Sequence, residues 1–152
     1  MRFTWLLAAA ALAILSRPAD AQISVTAIRP LAFGPVIVGV PTSIAPSHPV
    51  RSGQFRLVAP LNRNVRFRFT LPNRLNGPSG ATMPISFGNS DAIALGQGPT
   101  SVPVAFDPKV QQTFQIVSST TIFVFIGGRV TPAGNQRQGN YTGTITFTVT
   151  IL

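Results

Sequence analysis

Proline places the tightest limit on what this chain can fold into. Of its 14 prolines only Pro18 lies before residue 22, and the rest recur roughly every ten residues, with glycines beside many of them. Proline removes a backbone donor and clashes with the preceding helical turn, so long helices cannot survive such spacing. No 3.6-residue apolar pattern appears between the breakers. Short strands remain, and nine apolar or alternating runs predict them at residues 23–28, 36–40, 54–58, 64–71, 83–87, 102–106, 113–117, 121–126 and 141–151. Runs of this length separated by Pro/Gly/Asn turns indicate a single antiparallel all-β sandwich.

Alternation predicts which side chains enter the core. In "NVRFRFTLP" the residues Val65, Phe67, Phe69 and Leu71 share one face, and Arg66, Arg68 and Thr70 the other. "TIFVFI" does not alternate, which predicts a strand covered on both faces or by a loop. "GNSDAIALGQGPTS", residues 88–101, reads as one long loop. The chain ends on "GNYTGTITFTVTIL", where Tyr141, Ile145, Phe147, Val149 and Ile151 alternate with threonines. Fully extended, residues 141–151 would span about 35 Å, and a strand that long with a bare edge invites pairing with another chain. Residues 23–28 are the expected cover for that edge.

The start of the chain has the layout of an export signal. A basic Met1-Arg2, an apolar run from Trp5 to Leu15 and a small-x-small Ala19-Asp20-Ala21 predict residues 1–21 as a cleaved signal peptide, with residues 22–152 forming one domain. The apolar run is about half of the roughly 20 residues that span a bilayer, so no transmembrane segment is expected in the mature chain. The expected location is the periplasm, cell surface or extracellular space of a bacterium. With no cysteine in the sequence, packing alone must hold the fold.

Charge narrows the partners. The 12 Lys+Arg lose Arg2 and Arg17 with the leader and the three acids lose Asp20, leaving ten against two, a net charge of +8 with no glutamate. This balance attracts anionic surfaces, and for an exported protein these are envelope or matrix polymers rather than specific nucleic acid.

Catalytic and metal chemistry find few residues to use. The mature chain offers one histidine, His48, two acids, Asp91 and Asp107, and no thiol. His48 with Ser47 or Ser52 lacks the G-x-S-x-G strand-turn-helix context of a nucleophile elbow. One histidine and two isolated acids do not make a metal ligand set, so no catalytic, metal or cofactor residue is expected. "FIGGRV" has a glycine pair but no phosphate-loop Lys-Ser/Thr, and is read as a turn. Asn140-Tyr141-Thr142 fits the glycosylation tripeptide, a pattern too common to carry weight.

One constellation stands out. Arg51, Arg56, Arg63, Arg66, Arg68 and Arg74 crowd into a short part of the chain. A hairpin of residues 54–58 and 64–71 would place Arg56 beside Arg66 and Arg68 on its outer face, with Arg63 at the turn. Guanidiniums so arrayed suit phosphate, sulfate or carboxylate groups of a polymer. Solubility and protection of a strand edge explain the same charges without a ligand.

Three motifs in order carry a resemblance: Leu31-Ala32-Phe33-Gly34 after the first strand, Gly127-Gly128 before a Val-x-Pro, and Gly139-x-Tyr141-x-Gly143 opening the final ladder, with "ATMPISFG" between. In these the chain resembles the exported bacterial family called domain of unknown function 4402, which is similar to the spore coat protein U group with its archaic chaperone–usher pilus subunits. The resemblance implies an immunoglobulin-like β-sandwich and a non-enzymatic structural or adhesive cell-surface protein, with a periplasmic chaperone or neighbouring appendage subunits as partners. It also implies strand exchange, in which an incomplete sandwich accepts a strand from another chain. Unlike pilus-type relatives this chain has no cysteine, and only Gln22 would precede its first strand after cleavage. Two readings follow: a subunit that accepts a strand, or a self-complete monomer that binds an anionic polymer through the arginines.

Overall fold

The computed structural model describes residues 22–96, 102–117 and 120–152. Twelve strands occur among them: β1 (Ser24–Arg29), β2 (Thr42–Ile44), β3 (Gly53–Val58), β4 (Arg63–Thr70), β5 (Arg74–Asn76), β6 (Thr82–Ser86), β7 (Ala92–Gly96), β8 (Val104–Phe106), β9 (Gln112–Ile116), β10 (Thr121–Ile126), β11 (Gly128–Val130) and β12 (Thr146–Ile151). The described residues contain no α-helix, only a single 3-10 turn at Pro78–Gly80. The chain is all-β, as the proline spacing requires.

The strands form three antiparallel sheets, in the orders β1-β3-β10-β7-β8, β2-β11-β6-β5 and β12-β4-β9. Asn76 of β5 and Thr142, in the segment that leads into β12, exchange main-chain hydrogen bonds of 2.7 and 2.9 Å. Between β4 and β5 lies Pro72, which has no N–H to give to a ladder.

Phenylalanine fills the space between the layers. Phe55 of β3 lies 5.8 Å from Phe69 of β4 and 5.2 Å from Phe147 of β12, ring centre to ring centre. At the other end Phe106 of β8 meets Phe67 at 6.3 Å and Phe114 of β9 at 5.3 Å. The alternation in β4 holds residue by residue: Val65, Phe67 and Phe69 are buried, and Arg66, Arg68 and Thr70 are exposed.

Three elements differ from the sequence reading. Residues 36–40 form no strand, because Gly39 adopts a φ of +74° and Val40 N–H closes a turn onto Ile37 O at 3.0 Å. The expected loop at 88–101 holds β7, an inner strand between β10 and β8; residues 97–101 lie outside the described residues. "FIGGRV" is a sheet switch rather than a turn. A Cβ on Gly127 would collide with the main chain at Ile44 and Pro46, and this close approach lets the chain leave β10 and enter β11 between β2 and β6. β10 is central in its sheet, with Val124 and Ile126 fully buried and its opposite face, carrying Phe123 and Phe125, half-buried.

Candidate strand-accepting groove

The final ladder is shorter than its alternation suggests, and it is bare on one side. β12 pairs with β4 from Thr146↔Thr70 to Ile151↔Val65, and no described strand pairs with its other edge. Leu152 N–H donates to Asn64 O at 2.8 Å. Backbone groups alternate along a strand, so those of Thr146, Thr148 and Thr150 turn toward β4, and those of Phe147, Val149 and Ile151 toward the open side.

Residues 23–28 do not cover that edge, contrary to expectation. β1 pairs antiparallel with β3 on the opposing sheet, in the register Ser24↔Val58 to Ala27↔Phe55 with a bulge before Arg29. Arg29 anchors the end of β1: its guanidinium donates to Ser52 O at 2.8 Å, to Ser52 Oγ at 3.0 Å and to Pro49 O. β1 and β12 are thus the facing edges of two different sheets, and neither has a described strand beyond it.

Burial falls away toward this side. Leu57 is 0% exposed, yet Val25, its partner in register on the same inward face of β1, is 38% exposed. In the other sheet Val65 and Phe67 are 0% and 1% exposed, while their β12 neighbours Ile151 and Val149 are half-buried. Inward-facing apolar side chains are uncovered at both edges of one opening.

A groove lies at one end of that opening, beside the C-terminal part of β1 and the residues that lead into β12. One part, of about 370 Å³, is lined by Ala27, Leu31, Phe55, Ile126 and Ile145. It continues past Leu31 and Ile145 into a second hollow of about 540 Å³, which reaches Phe33, Leu75, Met83 and Tyr141. Two of the three motifs that carried the resemblance form its walls. Leu31-Ala32-Phe33-Gly34 is held by Ala32 N–H to Arg51 O at 2.9 Å and by the Arg51 guanidinium to Phe33 O at 3.2 Å. In the opposite wall the ring of Tyr141 lies against Gly77, where no Cβ would fit, and its hydroxyl donates to Arg137 O at 2.7 Å. Gly139 has a φ of +143° and packs on Pro78, while Gly143 packs on Leu75. These contacts hold residues 139–145 flat along β5 before β12 begins, which is why the strand starts at Thr146 and not at Tyr141.

The six arginines do not form one face. β3 pairs with β1 and β10, and β4 with β12 and β9, so the expected hairpin is absent. Arg56 lies on the outer surface of one sheet and Arg66 and Arg68 on that of the opposing sheet. Arg63 opens β4, Arg74 opens β5, and Arg51 supports the groove wall.

His48 Nδ1 accepts main-chain N–H bonds from Val50 and Arg51 at 3.2 and 3.1 Å, while the buried Ser52 hydroxyl donates to His48 O at 2.7 Å. The serine is thus directed at the histidine's carbonyl and not at its ring. No group of three potential metal-ligating side chains occurs among the described residues. No described helix is long and apolar enough to cross a membrane. No protein-family profile, curated protein or solved structure matches the chain.

Proposed function

We propose that this protein is an exported, non-enzymatic structural subunit of the bacterial cell surface, with an immunoglobulin-like sandwich that accepts a β-strand from another chain between β12 and β1. The carrying observation is the open side itself, where inward-facing Val25, Val149 and Ile151 are exposed or half-buried beside fully buried neighbours. An inserted strand would pair with the free edge of β12 and cover these side chains with its own alternate residues. The leader-like residues 1–21 and the resemblance to the domain of unknown function 4402 family support the same reading, with a chaperone or neighbouring subunit as the strand's source.

Supplying the strand in cis tests it. A tight turn and a seven-residue strand fused after Leu152 would fold back along the free edge of β12. With Ile and Val at its inward positions the fusion is expected to melt about 5–10 °C higher than one with Ser and Thr there, and to remain monomeric. Equal melting of the two fusions would overturn the proposal.

A further inference from the structure

The outer face of the β12-β4-β9 sheet presents another surface, separate from the groove. Arg66 and Arg68 project from its central strand, about 7 Å apart along the chain. Arg66 lies between Thr150 and Thr113 in register, and Arg68 beside Thr148. Asn64 and Gln115 extend the same face. It therefore carries two cations, hydroxyls and amides, with no apolar or acidic side chain among these positions.

The two arginines differ from their structural counterparts. The guanidiniums of Arg29 and Arg51 are bound to main-chain oxygens, whereas those of Arg66 and Arg68 make no hydrogen bond or ion pair to any described residue. Carboxylates across the ladder would stabilise two like charges this close on one strand, and here threonines occupy those places. The acids of the described residues are engaged elsewhere: Asp91 accepts the Gly88 N–H at 2.6 Å, and Asp107 lies 3.7 Å from Lys109. No described acid supplies a counter-charge to this face.

From this we infer that the Arg66/Arg68 face binds a carboxylate-bearing polysaccharide of the uronic acid class, lying along the flat sheet. Each guanidinium offers a fork of donors to a carboxylate, and the flanking threonine, asparagine and glutamine side chains match the hydroxyls of the sugar rings. The face has no aromatic ring on which a nucleic-acid base could stack, and its apolar side chain opposite Asn64, the exposed Leu152, stands alone at one end, too little to enter a bilayer. A hydroxyl-rich polyanion is the partner left by that chemistry.

The test uses the mature chain, with polygalacturonate, a neutral dextran, a DNA duplex and phosphatidylglycerol vesicles as probes. Polygalacturonate binding is expected to weaken steeply with salt. Arg66→Gln with Arg68→Gln should reduce it by about tenfold or more. The pair Arg56→Gln with Arg137→Gln removes the same charge elsewhere and should change it by less than about twofold. Thr148→Glu with Thr150→Glu supplies carboxylates beside the arginines without removing them. This pair should abolish binding while holding or raising thermal stability through cross-strand ion pairs. Equal losses in the two arginine pairs would reduce the effect to net charge and overturn the proposal. DNA or vesicle binding that is tighter than polygalacturonate binding and equally dependent on Arg66 and Arg68 would also overturn it, assigning the face to another macromolecule.

Discussion

Phe147 stacks on Phe69 at 4.6 Å, meets Phe67 edge-on at 5.3 Å and reaches Phe55 of the opposing sheet at 5.2 Å. It is therefore the point at which β12 is fastened to both layers. Phe147→Ala removes a ring from a close-packed cluster and is expected to cost about 3–5 kcal/mol, a large part of a domain's usual margin. Phe147→Asp would bury an unpaired carboxylate there and should prevent recovery of soluble protein. Denaturant melts of the alanine variant and the soluble yield of the aspartate variant check these outcomes; a near-neutral alanine variant would mean that the cluster is not the anchor. Alternation in the sequence already assigned Phe147, Phe67 and Phe69 to one interior. It could not assign Arg56 to a different surface from Arg66 and Arg68, since that depends on which strands pair across long stretches of chain.

Among the elements, β3, β4 and β10 were legible because each combines a period-two or continuous apolar run with clear breakers at its ends. β7 was hidden by small residues: Ala92, Ala94 and Gly96 give little hydrophobic signal, yet they suit a strand packed closely against β10. β11 was hidden by the glycine pair that permits the sheet switch. The apolar run at 36–40 misled because Gly39 and the flanking prolines turn it. The role of β1 follows from its burial: residues Ser24 to Ile28 are exposed, and its hold on the fold is the ladder to β3 together with Arg29. Deleting residues 22–28 is therefore expected to lower stability by only about 2–4 kcal/mol and to leave a folded chain with a newly bare β3 edge that associates more readily. Circular dichroism and light scattering on the truncated chain check this. A truncation that fails to fold would make β1 integral to the sandwich.

At the scale of the molecule, three features converge on the β1/β12 side: a bare strand edge, incompletely buried inward side chains and a groove walled by the Leu31–Gly34 and Gly139–Gly143 motifs. None of these could be read from composition or periodicity, which constrain a strand's faces but not its neighbours. Amide hydrogen exchange read by NMR addresses the opening most directly. In the monomeric chain the Thr146, Thr148 and Thr150 amides, bonded to β4, should be protected, and those of Phe147, Val149 and Ile151 should exchange at rates near those of an unstructured peptide. In the fusion with the apolar strand all six should be protected. Protection of Phe147, Val149 and Ile151 already in the unfused monomer, or no gain of protection on fusion, would contradict an edge open to a strand from another chain.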